Sequence, residues 1–418
     1  MRIGRMRVSA QGMELNKGVG IVDRPWNLLA GDVPWPAAVL SESRIAHNLG
    51  WMRDFIQAYG LALAPHGKTT MAPALFRRQL DAGAWGVTVA TVQQARVAAA
   101  HGVAHILIAN QVVGAANVAM LAEMAARPDL DIMCLVDSVA GVDLLGRACR
   151  ASGATLDVLV ELAPEPDQPG LRTGVRTEAD LTAVIDALDQ WQGALRLAGV
   201  EFYEGVLPDE AEVRRFVRRA VAVAARLVAE GRVERVPAIL TGAGSAWYDV
   251  VAEESAGVVR DGVVQVLLRP GCYISHDDGL YRVAQEGILR RNPVAPGLGE
   301  PLLPALRIWA AVQSIPDPAR AVVAMGKRDV AFDAGLPRPA TLFRPGRDTR
   351  PGEAPGHWEV TGLMDQHAYL AIAPGDDLAV GDVLAFDISH PCLTFDKWRH
   401  ILVADDDHRV VDVIETFF

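Results

Sequence analysis

The chain has 418 residues, half of them hydrophobic and 22 % charged, which is enough apolar material for one large core and a smaller second one. A formal net charge of −11 excludes a general nucleic-acid binder, and charges or prolines break every apolar run before it reaches membrane-spanning length. Four cysteines, Cys134, Cys149, Cys272 and Cys392, stand far apart with no C-x-x-C pair, which excludes a disulfide framework or zinc ribbon and fits free thiols. The basic start, Met1 to Arg7, leads into polar residues and not into an apolar signal core, so a cytoplasmic location is expected.

Residues 1–35 have weak periodicity with several Gly and Pro, and read as an extended arm that packs with a β domain. Ala37 to Leu40 reads as a strand and Ser41 as an N-cap. The run Arg44 to Tyr59 then sets Ile45, Leu49, Met52, Phe55 and Ile56 on one helical face. Short apolar strands follow at 61–65, 86–90, 105–109, 132–136, 156–162, 197–202, 237–241 and 264–268. Helices are predicted between them near 72–82, 92–101, 115–126, 139–151, 178–190 and 209–230. Runs such as His105 to Ile108 and Leu156 to Val160 are continuously apolar or nearly so, as strands covered by helices should be. Eight such units predict a (β/α)8 TIM-like barrel over 36–290, with an open doubly wound sheet as the alternative. Beyond Arg290 the helical rhythm stops, and the alternating runs Leu306 to Val312, Ala321 to Ala324 and Asp382 to Phe386 predict a C-terminal β-rich domain over 291–418. Arg344 to His357, rich in Pro and Gly, reads as a long surface loop.

In a barrel, catalytic groups come from the C-terminal ends of the strands. Lys68 follows the first barrel strand in the run Leu63 to Met71, and faces that rim. Read alone it is a surface lysine; its place on the rim makes it a candidate. Thr241, Gly242, Gly244 and Ser245 follow the seventh strand in a turn that can present several N–H groups to a phosphate, although a tight connection has the same composition. The loop Arg269 to Asp277 after the eighth strand, with Tyr273, completes that side. A lysine and a phosphate site on one rim suggest pyridoxal phosphate; an aldolase-type barrel with its own Schiff-base lysine shares both features. His66 and Tyr203 join the cofactor-binding candidates. Arg172, beyond the fifth strand, is placed to meet a cofactor ring or a substrate carboxylate, or is a surface arginine.

In the β region, Asp387 to Thr394 contains His390 and Cys392. On an extended segment residues two apart project to one side, so this pair suits one borderline or soft cation with positions left open for substrate. His367 is a further catalytic candidate, or a satisfied structural histidine.

Taken in order, Pro65-His66-Gly67-Lys68-Thr69, Arg172-Thr173-Gly174-Val175, Thr241 to Ser245, Arg269-Pro270-Gly271-Cys272-Tyr273 and His390-Pro391-Cys392 resemble the D-serine dehydratase-like and D-threonine aldolase-like family. These are pyridoxal-phosphate enzymes of the alanine-racemase fold type, fold-type III. The resemblance runs from about Pro36 to His400. It implies a barrel, a C-terminal β domain, an active site at their junction and a homodimer whose second copy completes that site. It makes Lys68 the Schiff-base lysine, His390 and Cys392 a metal pair that holds zinc in the dehydratases, and Arg172 a residue near the cofactor. Many members have Arg before Pro-His and His-Lys after the Thr. This chain has Ala64 and Thr70-Met71, which weakens the expectation of an acidic substrate. Aldolases of the family usually carry Asp where Cys392 stands. The resemblance therefore implies a D-amino acid lyase, foremost a D-serine dehydratase releasing pyruvate and ammonia, with D-threonine or 3-hydroxy-D-amino acid aldolase, or a racemase, as alternatives.

Overall fold

The computed structural model describes residues 13–15, 18–20, 26–164, 172–259 and 262–418, so the expected N-terminal arm lies partly outside it. Strands β1 (Met13–Leu15) and β2 (Gly18–Gly20) pair antiparallel. Strand β3 (Ala37–Ser41) runs straight into helix α1 (Glu42–Tyr59), because Ser41 accepts the Arg44 N–H as its N-cap and Gly60, at φ 65°, closes the other end.

Eight parallel strands follow: β4 (Ala62–Leu63), β5 (Val87–Val89), β6 (His105–Gln111), β7 (Asp131–Val136), β8 (Leu156–Leu162), β9 (Leu195–Phe202), β10 (Ala238–Gly242) and β11 (Val264–Leu268). Sequential neighbours pair, β11 pairs β4, and the ring closes where Trp85 and Thr88 donate their N–H groups to the Leu63 and Pro65 carbonyls. The sheet is a closed barrel, and the open alternative is removed. Helices α2 (Pro73–Asp81), α3 (Val92–Ala100), α4 (Ala115–Ala125), α5 (Val139–Ser152), α6 (Glu178–Asp189), α7 (Glu210–Ala229), α8 (Tyr248–Ser255) and α9 (Leu280–Arg291) cover it. Thr91, Ser138, Thr177 and Asp209 cap four of these with side-chain oxygens, which explains the abrupt change from period two to period 3.6 at those residues.

The barrel interior is layered. Leu107, Met133, Leu135, Leu159, Ala198, Ile239 and Leu267 fill its middle, while Ile106, Val158 and Val160 on the same strands face the helices. Ion pairs close the N-terminal end. Arg235 reaches Asp131 at 2.6 and 2.8 Å and Asp157 at 2.6 Å, Arg196 holds the same Asp157, and His105 bonds Asp131 under the Trp85 ring. Asp157 is 4 % exposed, so its charge depends on these two arginines.

The remaining strands are β12 (Leu306–Asp317), β13 (Arg320–Val323), β14 (Arg338–Phe343), β15 (Gly352–Glu353), β16 (Glu359–Leu363), β17 (Ala368–Ala371), β18 (Val383–Asp387), β19 (His400–Ala404) and β20 (Val410–Glu415). They form antiparallel ladders, and the segment expected as an open loop after Arg344 contributes β15 to the edge of β14. Strand β3 inserts between β12 and β19, and Trp26, Leu28 and Val33 pack with Trp309, Leu402 and Val410. One expectation fails here. The His390-Pro391-Cys392 run is not extended, because Cys392 opens the one-turn helix α10 (Cys392–Phe395), with Pro391 accepting the Thr394 and Phe395 N–H groups.

Replacing Arg235 by Ala leaves two carboxylates crowded at the barrel floor. A loss of about 3 kcal/mol is expected, measured by urea unfolding; Arg196→Ala, at a more exposed arginine, is expected to cost less.

Candidate active site

After β4 the chain turns through a single 3-10 turn, Gly67–Thr69. Gly67 has no room for a side chain: a Cβ there would meet Val87 at 2.7 Å and the Phe76 ring at 2.9 Å. This turn buries Thr69 and leaves Lys68 exposed at the rim, with no hydrogen bond or ion pair among the described residues. The amine is free to react. His66, just before it, is held well below the ordinary imidazole range by burial and then by the positive charges of Lys68 and Arg269, so its ring is neutral.

Above the apolar layer of the barrel lies a polar one. Glu161 accepts from Thr173 at 2.7 Å and from Gln111, while Glu201 pairs with Arg269, which also donates to the Phe202 carbonyl. Burial pushes Glu201 up to about 7 against the pull of Arg269. His66 Nδ1, Gln111 Oε1 and Glu201 Oε2 are buried with no partner among the described residues. Native interiors rarely leave such atoms unpaired, so three of them on one rim mark where an external polar group would bind.

The glycine turn after β10 binds an anion, but one of the chain's own. The Ala243 N–H donates to Glu204 at 3.0 Å and the Gly244 N–H at 2.6 Å, with Ala243 at φ 75° to aim them. Thr241 spends its hydroxyl on the Leu267 carbonyl, and a Cβ on Gly242 would strike the Phe202 ring at 2.4 Å. The Thr241 hydroxyl and the Gly244 N–H expected at a phosphate are therefore already committed inside the chain, and Gly242 packs against Phe202. Ser245 stays at the rim, accepting the Cys272 N–H. Arg172 lies over the Tyr203 ring, 5.1 Å from its centroid.

Two further candidates stand apart from this cluster in the single chain. Tyr273 is buried in the core and turned to Gln79 of α2, because the 3-10 turn Cys272–Ile274 sets consecutive side chains about a third of a turn apart. Cys272 faces the rim in its place. His367 is exposed in the turn between β16 and β17, where its carbonyl accepts the Met364 N–H, and its ring bonds none of the residues above.

The metal pair is brought together, by a helix start and not by strand alternation. Thr69 Oγ1 lies 3.4 Å from Cys392 Sγ and 3.9 Å from Cys272 Sγ, and the two sulfurs are 3.7 Å apart. His390 hydrogen-bonds Cys392, with its Nδ1 2.7 Å from Asp333. The Cys272 thiol, then His390 and Thr69, pull Cys392 down to about 4 against burial. Cys392, and after it Asp333, raise His390 to about 9. Both shifts favour a thiolate at Cys392 and an imidazolium at His390, while the Cys272 thiol is pushed well above the usual thiol range. Tyr281 hydrogen-bonds Cys272, positioned by Asp277, which accepts the Gly279 and Tyr281 N–H groups.

Cys272, Asp333, Tyr281 and Glu204 were not singled out from the sequence. Cys272 had a signal, since its loop was already placed on the rim. Asp333 had none, standing 57 residues before His390 in a loop.

These residues fit the groups the sequence suggested, with one reservation of geometry. Lys68 offers a free amine for an aldehyde, and the unpaired atoms of His66 and Glu201 face the same rim. Ser245, Tyr203 and Arg172 are what remains for a phosphate, because Glu204 holds the turn. Imidazole and thiolate suit a zinc-like cation, with Asp333 orienting the ring as outer carboxylates do for metal-bound histidines. Among the described residues no three His, Cys, Asp or Glu side chains already surround one cation position, so two protein ligands are what the chain offers.

The family described as the alanine racemase N-terminal domain matches residues 40–270, and the putative serine dehydratase domain matches 305–404. The chain is 27 % identical over 381 residues to a D-threonine aldolase of Arthrobacter sp, covering 90 % of each. It is 29 % identical over 376 residues to the D-threo-3-hydroxyaspartate dehydratase of Delftia sp. strain HT23, covering 86 % of this chain and 91 % of that one. The crystal structure of D-threonine aldolase from Filomicrobium marinum shares its fold at a TM-score of 0.74 and 28 % identity, over 94 % of this chain and 97 % of that one.

The thiolate and imidazolium have opposite pH signatures. The depressed Cys392 contributes stability that is complete above its ordinary value of 9.0 and lost as pH falls through about 4. The raised His390 contributes stability that is complete below 6.5 and lost as pH rises through about 9. In chelator-treated protein, iodoacetamide at pH 6.5 is expected to alkylate Cys392 while Cys134, Cys149 and Cys272, all held above the ordinary thiol range, stay unmodified by peptide mass mapping.

Proposed function

The chain belongs to the alanine racemase N-terminal-domain family, and on that premise we propose that it is a pyridoxal-phosphate- and metal-dependent lyase of D-amino acids that carry a β-hydroxyl. Its reaction in this reading is dehydration of D-serine to pyruvate and ammonia. The observation that carries it is the contact between Thr69 and Cys392. It sets the turn that carries Lys68 against the helix start that carries Cys392, although the two touching residues stand 323 apart in the chain.

Pyridoxal phosphate, when bound, would supply an electron sink that acidifies the α-carbon. Lys68 would hold its aldehyde and serve as the base for the α-proton, with a free amine exposed at the rim. His390 and Cys392 would hold a divalent metal, zinc by the softness of the donors, whose open positions accept the β-hydroxyl and make it a better leaving group. Arg172, held over the Tyr203 ring, would offer a fixed positive charge suited to a substrate carboxylate. Exposed Leu280, Phe332 and Leu393 adjoin Tyr281, Asp333 and Cys392 in the chain, and suit a second copy covering the mouth as a homodimer. A monomer mass by light scattering at micromolar concentration would remove that part. A second reading, cleavage of the Cα–Cβ bond, is favoured by the likeness to the Arthrobacter aldolase.

The products decide between them. D-serine and D-threonine are expected to give pyruvate and 2-oxobutanoate with ammonia; glycine and acetaldehyde from D-threonine would establish the aldolase instead. Lys68→Ala is expected to abolish the bound-cofactor absorbance and turnover. His390→Ala and Cys392→Ala are expected to keep the cofactor band and lose about 10³-fold in kcat/KM. Full-rate pyruvate release by the two metal-pair variants, or in excess chelator, would sink the metal role.

A further inference from the structure

Cys272 belongs to neither of the roles above. It is 3 % exposed, sits in the loop after β11, and no described charge holds it in place. Its sulfur nonetheless lies 3.7 Å from that of Cys392, and the Thr69 hydroxyl reaches both sulfurs, so the pair is bracketed from one side by a residue of the Lys68 turn. Gly271 makes the approach possible, since a Cβ there would lie 2.5 Å from Thr69 Oγ1. The pair is asymmetric in access: Cys392 is half-buried and Cys272 buried. The other two thiols, Cys134 and Cys149, are buried under the barrel helices and reach no third cysteine.

We infer that Cys272 and Cys392 are a redox-modifiable pair, in which Cys392 exchanges with a small-molecule disulfide of the glutathione class and Cys272 then closes an internal disulfide. The distance argues for it. A disulfide needs sulfurs about 2.05 Å apart, so the two must close by roughly 1.7 Å, a displacement of the size that side-chain rotation about χ1 supplies. The chemistry balances. The Cys392 sulfur attacks one sulfur of the oxidised tripeptide, forming a mixed disulfide and releasing one reduced tripeptide. Cys272 attacks Cys392 Sγ, its proton leaves with the second tripeptide, and two protein thiols have been oxidised for one disulfide reduced. The consequence for catalysis rests on the reading of Cys392 as a metal ligand, because a disulfide sulfur no longer offers a thiolate to a cation. The bond itself does not depend on that reading. On it, metal and disulfide exclude each other, and bound metal protects the pair.

The test uses the full chain, stripped of metal with chelator and then incubated with oxidised glutathione. Non-reducing peptide mapping is expected to find a Cys272–Cys392 cross-link, with a loss of two hydrogens in the intact mass and Cys134 and Cys149 still free. Cys272→Ser is expected to stop at a stable glutathione adduct on Cys392, and Cys392→Ser to give neither product. A wild-type chain that accumulates the adduct on Cys392 without closing, or that leaves both thiols free, overturns the inference. A parallel incubation with saturating zinc separates this from the proposed function. Closure slowed at least about 10-fold supports both, whereas closure at an unchanged rate keeps the thiol pair and removes the metal from Cys392.

Discussion

The site depends on how closely two loops can approach across the seam of the barrel. At Gly271 the backbone passes so near the Lys68 turn that a Cβ would sit 2.6 Å from the His66 carbonyl oxygen and 2.5 Å from Thr69 Oγ1. Nothing larger than hydrogen fits there. The same contact sets Cys272 against Thr69, and Thr69 against Cys392, so one missing methyl group fixes the distance between the amine and the two sulfurs. Gly67, wedged against Val87 and Phe76, holds the other side of the seam. Both glycines are needed for close approach, since neither occupies the left-handed region.

The barrel interior grades from ion pairs at the floor, through aliphatic side chains, to unpaired polar atoms at the rim, and each layer has a different physical task. Arg235 and Arg196 satisfy Asp131 and Asp157 almost completely, which is what a closed floor requires. At the rim Glu201 and Arg269 are paired, yet Glu201 keeps one oxygen unbonded and is pushed up to about 7. Glu204, also buried and raised, is satisfied by the N–H groups of the glycine turn. A chain built only for stability would not bury two such carboxylates so near a neutral His66. Their arrangement biases the rim toward ligands that bring their own hydrogen-bonding groups.

The barrel was legible because its strands are apolar on both faces and its helices are capped by oxygen-bearing residues, and both signals are local. The rim was legible only where chemistry and position coincided, as at Lys68 and at His390 with Cys392. The composition of the glycine turn reads as open to a phosphate because it says nothing about Glu204, whose carboxylate arrives from the loop after β9, forty residues upstream of Gly244. The loop after the eighth strand is readable as part of the rim, but a 3-10 turn decides which of two neighbours, Cys272 or Tyr273, faces inward. The alternation rule was applied to His390 and Cys392 where a helix begins. It placed the pair together through the wrong geometry, since Pro391 starts α10 and turns Cys392 back toward His390.

Strand β3 gives the β-rich half of the molecule a different relation to the barrel than chain order suggests. It is made before any barrel strand, yet its two neighbours in the sheet, β12 and β19, are made after all of them. During synthesis Ala37 to Ser41 emerge with both edges bare and stay so while the whole barrel is translated. The ladders with β12 and β19 then tie the strand that precedes the barrel to strands that follow it, so the barrel is flanked on both sides of the sequence by a single sheet.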